Sequence, residues 1–151
     1  GSDREIVIAP IPPSESHRLA ALGPPNVAEW NLRFQRGDEC FGAWLDGQLA
    51  HTSWVQLAGK HPISAAGIEL EVREDAFWIY NCRTVPAHRG QRIYPRALQH
   101  IAREYFRAGA RAGWIYTTFD NVASQHGIER AGFFKVRTLH ALRLGRHYVA
   151  G

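Results

Sequence analysis

Cysteine is scarce in this 151-residue chain: Cys40 and Cys82 are the whole complement, too few for a disulfide framework. Long hydrophobic runs are missing too. No apolar stretch reaches the ~20 residues that a membrane-spanning helix needs, and no secretory leader precedes the first strand-like segment. Eight histidines are present, yet none pairs with another His or Cys at the spacing of a zinc site. These absences predict a metal-free, cytoplasmic protein that does not engage a membrane. Internal repeats, low-complexity tracts and linkers are lacking as well. The length therefore predicts one domain over 1–151, with Gly1-Ser2 read as a tag remnant.

What is present is ordinary globular usage, 45% hydrophobic and 21% charged, which argues against disorder. The formal net charge of +4 favours anionic partners in general. Its arginines are spread along the chain rather than gathered in a tail. A nucleic-acid-binding domain would need a contiguous basic face and steep salt dependence, and no motif for one is found.

Patterning predicts a mixed order of elements. Glu5–Pro10 alternates like a strand and stops at Pro12-Pro13. Ser14 is placed to cap a short helix that Gly23 and Pro24 end. Asn26 and Glu29 form a capping box for a second helix, with Val27, Trp30 and Phe34 on one face. Phe41–Leu45 and Gln48–Gln56 flank Asp46-Gly47, a strong hairpin signal. Leu57 to Gly67 reads as a loop, followed by a strand or hairpin that is most apolar over Phe77–Val85. Pro95 suits the first turn of a helix, whose Ala97, Leu98, Ile101, Ala102, Tyr105 and Phe106 form a stripe. Trp114–Phe119 is another strand, Asp120 or Asn121 caps a short helix ended by Gly132, and Phe133 to Leu144 supplies a closing strand pair.

The informative stretch is Cys82–Leu98, CRTVPAHRGQRIYPRAL. A strand runs into a loop holding Arg89, Gly90 and Arg92, and that loop opens directly into a helix. First-turn N–H groups of a helix lack internal partners and carry partial positive charge, which makes such a place an anion receptor. Gly90 permits close backbone approach, and the two arginines offer forked donors for phosphate. The alternative is a solvated basic loop.

The arrangement resembles the GNAT superfamily of N-acetyltransferases. That family's pyrophosphate loop has the form Arg/Gln-x-x-Gly-x-Gly/Ala, usually after a strand, a proline and an Arg-Gly pair. Pro86, Arg89-Gly90 and Ile93 fall at matching offsets. Downstream, Asn121, Ser124 and Gly132-Phe133 match a second family element. The resemblance runs from Phe41 to Leu144. It implies an α/β (α+β) single domain, with a central twisted, mainly antiparallel sheet flanked by helices and one splayed strand pair. It also implies acetyl-CoA, or another acyl-CoA, as co-substrate. Backbone at Cys82, Arg83 and Thr84 would pair with the pantetheine arm like an added strand. Arg89, Gly90, Gln91, Arg92, Ile93 and Tyr94 would wrap the pyrophosphate. Asn121 would hydrogen-bond the pantetheine near the thioester, where the strands bearing Cys82 and Tyr116 splay.

Three positions depart from the family pattern. Arg92 stands where the second motif glycine is usual, and fits if its φ stays negative or the loop shifts. Tyr94 stands at the third Gly/Ala, where it would crowd the helix start or cover the cofactor; an Arg-Gly-x-x-Ile/Leu-Tyr-Pro form recurs among family members. Ile128 occupies the place, seven residues after the asparagine, where the family commonly has a tyrosine as general acid. Ser124, Tyr116 and Tyr80 are candidate proton donors, and His51 is a candidate base. Glu69 and Glu71 are candidates acting through water. Each has a competing reading as a packing or capping residue. Cys82 reads as a small buried side chain rather than an acyl-accepting nucleophile.

The expected function is acyl-CoA-dependent N-acyl transfer, of acetyl in the first instance, to a primary amine of a small molecule by direct attack. Acetylation of a protein amine and a non-catalytic acyl-CoA-binding module are the alternatives; a homodimer is an open possibility. The stretch 57–75 and some of the strand tryptophans are expected to border the acceptor.

Overall fold

The computed structural model describes residues 5–24, 26–63, 68–118, 121–133, 135–141 and 145–150. Strand β1 (Ile6–Pro10) leads to a 3₁₀ helix at Pro13–Leu22, closed by Gly23. Pro12 precedes this helix and no side chain caps it, so Ser14, expected as the cap, lies inside the helix instead. Helix α1 (Val27–Gln35) opens on the predicted capping box: Asn26 Oδ1 accepts from the Glu29 N–H at 3.2 Å, and Asn26 Nδ2 donates to Glu29 Oε2 at 2.9 Å. Trp30 and Phe34 pack inward from α1. Val27, expected beside them, is 54% exposed and is not part of that cluster.

Strands β2 (Glu39–Leu45) and β3 (Gln48–Gln56) form the expected hairpin. Asp46 and Gly47 both have positive φ, 51° and 82°, the backbone that lets a two-residue turn follow the twist of its strands. The reading of Leu57 to Gly67 as a loop is corrected. Strand β4 (Gly59–Ile63) pairs antiparallel with β5 (Ile68–Val72) in a separate two-stranded sheet, while residues 64–67 lie outside the described residues. Gly, Lys, His and Pro have little intrinsic strand preference. Burial of His61 and Val72 against the main sheet decides the conformation.

Strand β6 (Ala76–Thr84) is followed by α2 (Ile93–Arg107), β7 (Ala112–Thr118), α3 (Val122–Arg130), β8 (Lys135–Ala141) and β9 (Gly145–Ala150). The closing pair therefore lies further along than the expected Phe133 to Leu144, and β9 falls wholly beyond it. Asp120, one of the two proposed caps of α3, is outside the described residues; Asn121 is the N-cap, its Oδ1 accepting from the Ser124 N–H at 3.1 Å.

The main sheet has the order β1-β2-β3-β6-β7-β9-β8, and only β6 and β7 run parallel. Its two faces carry different cores. Phe77 and Ile79 of β6 point to the face covered by Leu98 and Ile101 of α2 and Ile128 of α3. Trp78 and Tyr80 point the other way, toward Leu19, α1 and the β4–β5 hairpin. Each fully buried Leu or Ile on α2 contributes roughly 1.5–3 kcal/mol, which anchors the helix whose N-terminus faces the site. Phe106, expected in the buried stripe, is 47% exposed although its ring meets Phe77 edge-on.

Two irregularities open the sheet. The β6–β7 ladder ends at Ile79–Ile115. Beyond it, among the described residues, each strand is paired only on its other side, Thr84 opposite His51 and Tyr116 opposite Val149. On β6, Trp54 pairs with Tyr80 and Thr52 with Arg83, so Ser53 faces both Asn81 and Cys82. This is a bulge, with Asn81 at φ 49°. The extra residue reverses the alternation: Cys82 packs with the α2 face instead of following Tyr80 to the other side.

Candidate active site

A cleft of about 1090 Å³ opens where the end of β6, the N-terminus of α2 and α3 meet. Among the expected cofactor residues, Cys82, Arg83, Thr84, Arg89, Gly90, Arg92, Ile93, Tyr94 and Asn121 line it, together with Ser124 and His51. Gln91 is not one of its walls. Walls that sequence reasoning did not single out include Leu22, His88, His126, Gly127 and Arg130. Four arginines and no Asp or Glu appear among the described lining residues, so the field there is positive.

At the mouth of α2 the backbone suits a polyanion. The helix has no side-chain N-cap and no acidic residue in its first turn. Pro95, the third residue of the helix, has no N–H to leave unpaired. Gly90 has φ 81°, and nothing lies within 4 Å of where its Cβ would stand. Arg92 is the N-cap at φ 60°, in the left-handed region. Of the two fits expected for arginine here, a negative φ or a shifted loop, the first is overturned: the residue takes a positive φ. That geometry costs an L-residue roughly 1–2 kcal/mol.

The floor of the cleft is a chain of hydroxyl, imidazole and thiol groups. His51 is 1% exposed; its Nδ1 lies 2.7 Å from Thr84 Oγ1 and its Nε2 2.8 Å from Ser53 Oγ. Burial pushes the His51 pKa down to about 4, so it is neutral at pH 7 with both ring nitrogens engaged. Ser53 donates to Cys82 Sγ at 3.2 Å. Tyr94 Oη lies 3.2 Å from Ser124 Oγ. Burial pushes the Cys82 thiol up to about 12, which suppresses the thiolate.

A second cavity of about 220 Å³ lies in the splay between β6 and β7. Its walls include Tyr80, Ile115, Tyr116 and Thr117, and it shares Cys82, Tyr94, Asn121 and Ser124 with the larger cleft. The Tyr80 hydroxyl donates to the buried Asp38 carboxylate, and Arg36 donates to Tyr80 Oη at 3.0 Å and to Asp38 Oδ2 at 2.8 Å. Burial, and then the Asp38 carboxylate, raise the Tyr80 pKa. Burial also raises that of Tyr116. Ile128, at the family's usual acid position, is 1% exposed in the α2-side core. Glu71 is exposed on β5 opposite Lys60, away from both cavities; the Glu69 side chain is outside the described residues.

The opposite face of the sheet is aromatic. His61 from the 57–75 stretch stacks on Trp78 at 5.0 Å, and its Nδ1 bonds Gln56 Oε1 at 2.6 Å. Trp78 lies against Trp114 and Tyr116. Arg33 lies over Trp54 and Tyr80 at 4.9 and 5.3 Å from the ring centres, on the wall of a small recess that Glu29, Asn81 and Arg83 also border. Among the described residues, no three His, Cys, Asp or Glu side chains are grouped to hold a metal ion. No helix among them is long and apolar enough to cross a membrane.

Comparisons with known proteins agree with this geometry. Residues 13–133 match the family model described as the acetyltransferase (GNAT) family. No curated protein sequence matches. Among solved structures, the chain resembles the Escherichia coli ribosomal-protein-S18-alanine N-acetyltransferase, with TM-score 0.72 and 13% identity over 97% of this chain and 92% of that one. It also resembles a Bacillus subtilis acetyltransferase in complex with CoA, with TM-score 0.69 and 14% identity over 98% and 97% of the two chains. A third similar structure is AAC(6')-Ib in complex with paromomycin and acetyl-CoA, with TM-score 0.72 and 13% identity over 97% and 92%. At such identities the likeness is one of fold.

Proposed function

The chain belongs to the GNAT family of acetyltransferases, and from that premise we propose that it transfers an acyl group, acetyl in the first instance, from acyl-CoA to a primary amine of a small molecule. The observation that carries this reading is the acid-free cleft lined by Arg83, Arg89, Arg92 and Arg130 around the uncapped N-terminus of α2. Exposed amides, helix dipole and forked cations together fit a pyrophosphate. From there a pantetheine arm would run along Thr84 to Cys82, whose strand has no partner on that side among the described residues. It would reach Asn121 and Ser124 at the splay, where the thioester meets the smaller cavity.

An amine entering from the aromatic face would attack the thioester carbonyl directly. Holding both reactants in the splay supplies the orientation that a bimolecular reaction lacks in water. His51 supports the site as a neutral, buried link rather than as a strong base. Tyr80, fixed by Asp38 and Arg36, supports the acceptor wall. The structures of relatives acting on a ribosomal protein or binding paromomycin leave both a protein amine and a small amine in play as acceptors.

The burial of Ile128 favours a second reading, an acyl-CoA-binding module without turnover. Incubating the chain with acetyl-CoA and a panel of amines while following free thiol separates the two. Amine-dependent thiol release is expected. Tight CoA binding with no release across amino sugars, amino acids, polyamines and peptide N-termini would support the module instead.

A further inference from the structure

We propose that Tyr94, on the first turn of α2, is the proton donor to the departing CoA thiolate, in place of the α3 tyrosine whose position here is Ile128. The inference rests on the acyltransfer reading above and goes beyond it by naming the acid.

Four observations carry it. First, Tyr94 lines both the large cleft and the small cavity in the splay, so its side chain stands between them, on the path proposed above for the pantetheine arm and its thioester. Second, its Oη lies 3.2 Å from Ser124 Oγ, which places the hydroxyl oxygen within the polar floor of that junction. Third, α3 is built to admit the ring. A Cβ on Gly127 would lie 2.5 Å from Tyr94 Cδ2, and glycine inside a helix is otherwise disfavoured relative to alanine by roughly 0.5–1 kcal/mol. Fourth, the other tyrosine hydroxyls serve less well: Tyr80 Oη is held between Asp38 and Arg36, and Tyr116 does not line the cofactor cleft. Gly127 and Ile128 are adjacent on α3. The usual acid position has turned into the core, and the neighbouring glycine lets an acid from α2 fill the space beside it.

The step balances without any further reagent. The amine lone pair forms the C–N bond as the carbonyl π pair moves to oxygen. When that pair returns, the C–S bond breaks with its electrons on sulfur, and sulfur takes the Tyr94 O–H proton. The tyrosinate regains a proton from the new ammonium group through the Ser124 hydroxyl. The products are amide and free CoA thiol. The proton moves as negative charge develops on sulfur, which is the moment at which a positioned acid lowers the barrier.

The test is Tyr94→Phe, which keeps the ring against Gly127 and removes only the hydroxyl. CoA affinity by calorimetry serves as the fold control, and thiol release from acetyl-CoA is followed with the best amine of a panel or, failing one, with water as acceptor. The expected result is CoA affinity within about twofold of the parent and kcat lower by roughly 100-fold, the scale of general acid catalysis. Tyr116→Phe should lower kcat far less. A Tyr94→Phe protein within about threefold of the parent kcat would overturn the assignment, as would an equal loss in Tyr116→Phe. A parent that binds CoA yet releases no thiol by transfer or hydrolysis would overturn the acyltransfer reading itself, and the acid with it. A Tyr94→Phe protein that loses CoA affinity would assign the hydroxyl to binding and refute its role as the acid.

Discussion

Gly127 is pressed against Tyr94: a Cβ built on the glycine would lie 2.5 Å from Cδ2 and 3.0 Å from Cε2 of the tyrosine ring. The contact locks α3 to the first turn of α2, the two elements that form the far wall of the cleft. Gly127→Ala should gain up to about 1 kcal/mol of helix propensity. It should lose more to overpacking, typically about 1–3 kcal/mol, because a ring atom on the first turn of α2 has little room to retreat. Urea unfolding should show a net loss. A stabilised variant would mean that the ring is not held there.

Arg92 combines a strained backbone with a charge on the wall of the cleft. Arg92→Gly removes the left-handed cost, roughly 1–2 kcal/mol, and adds unfolded-state entropy of roughly 0.5–1 kcal/mol. Stability should therefore change by about 1 kcal/mol or less. CoA affinity should nonetheless fall, by about 1–3 kcal/mol for a charge-assisted contact, and the gap from the parent should narrow as salt rises. Parallel denaturation and calorimetry check the separation of the two effects.

His51 and His61 both have pKa values lowered to about 4, by burial in each case and for His61 also by the nearby Arg36 and Arg33. In the unfolded chain they titrate near 6.5. Between these values the unfolded state binds more protons, so stability is full above pH 6.5 and is lost as pH falls toward 4. The loss is on the order of 3 kcal/mol per histidine across that window. Urea midpoints at pH 7.5, 6 and 5 should fall in that order, and His51→Gln should flatten the decline. A flat profile would contradict the buried, neutral state of these rings.

Cys82 lies in the floor of the cleft, but a thiol pushed up to about 12 is almost entirely protonated near neutrality. Cys82→Ala should retain turnover, and intact mass measured during turnover should show no acyl adduct on the protein. A persistent adduct lost in Cys82→Ala would establish a covalent route instead of direct attack.

Local signals made much of this molecule legible. The Asn26–Glu29 capping box, the Asp46-Gly47 turn, Pro95 in a first helical turn and the Asn121 cap are each decided by residues within four positions of one another, and each is present as expected. The passage from the Arg89–Arg92 loop into α2 could be read because helix-start chemistry is local as well. What escaped depends on distant partners. In strand β4 the buried residue is His61, whose ring packs on Trp78 and Tyr80, a contact propensity cannot foresee. The Asn81 bulge that turns Cys82 toward Tyr94 follows from register with Ser53. Asp38, 42 residues before Tyr80, gave no sequence sign that it would claim that hydroxyl. Gly127 did carry a signal, a glycine inside a nine-residue helix, whose meaning needed the facing ring.

The central claim is that the basic cleft at the start of α2 grips the pyrophosphate of CoA. Calorimetric titration of the parent, Arg89→Ala and Gly90→Asp proteins with CoA tests it most directly. Sub-millimolar binding by the parent is expected, with a loss of about 1–3 kcal/mol for each lost charge-assisted contact and the added carboxylate at 90 at least as damaging. Equal binding by all three proteins, or no binding by the parent at millimolar CoA, would contradict it.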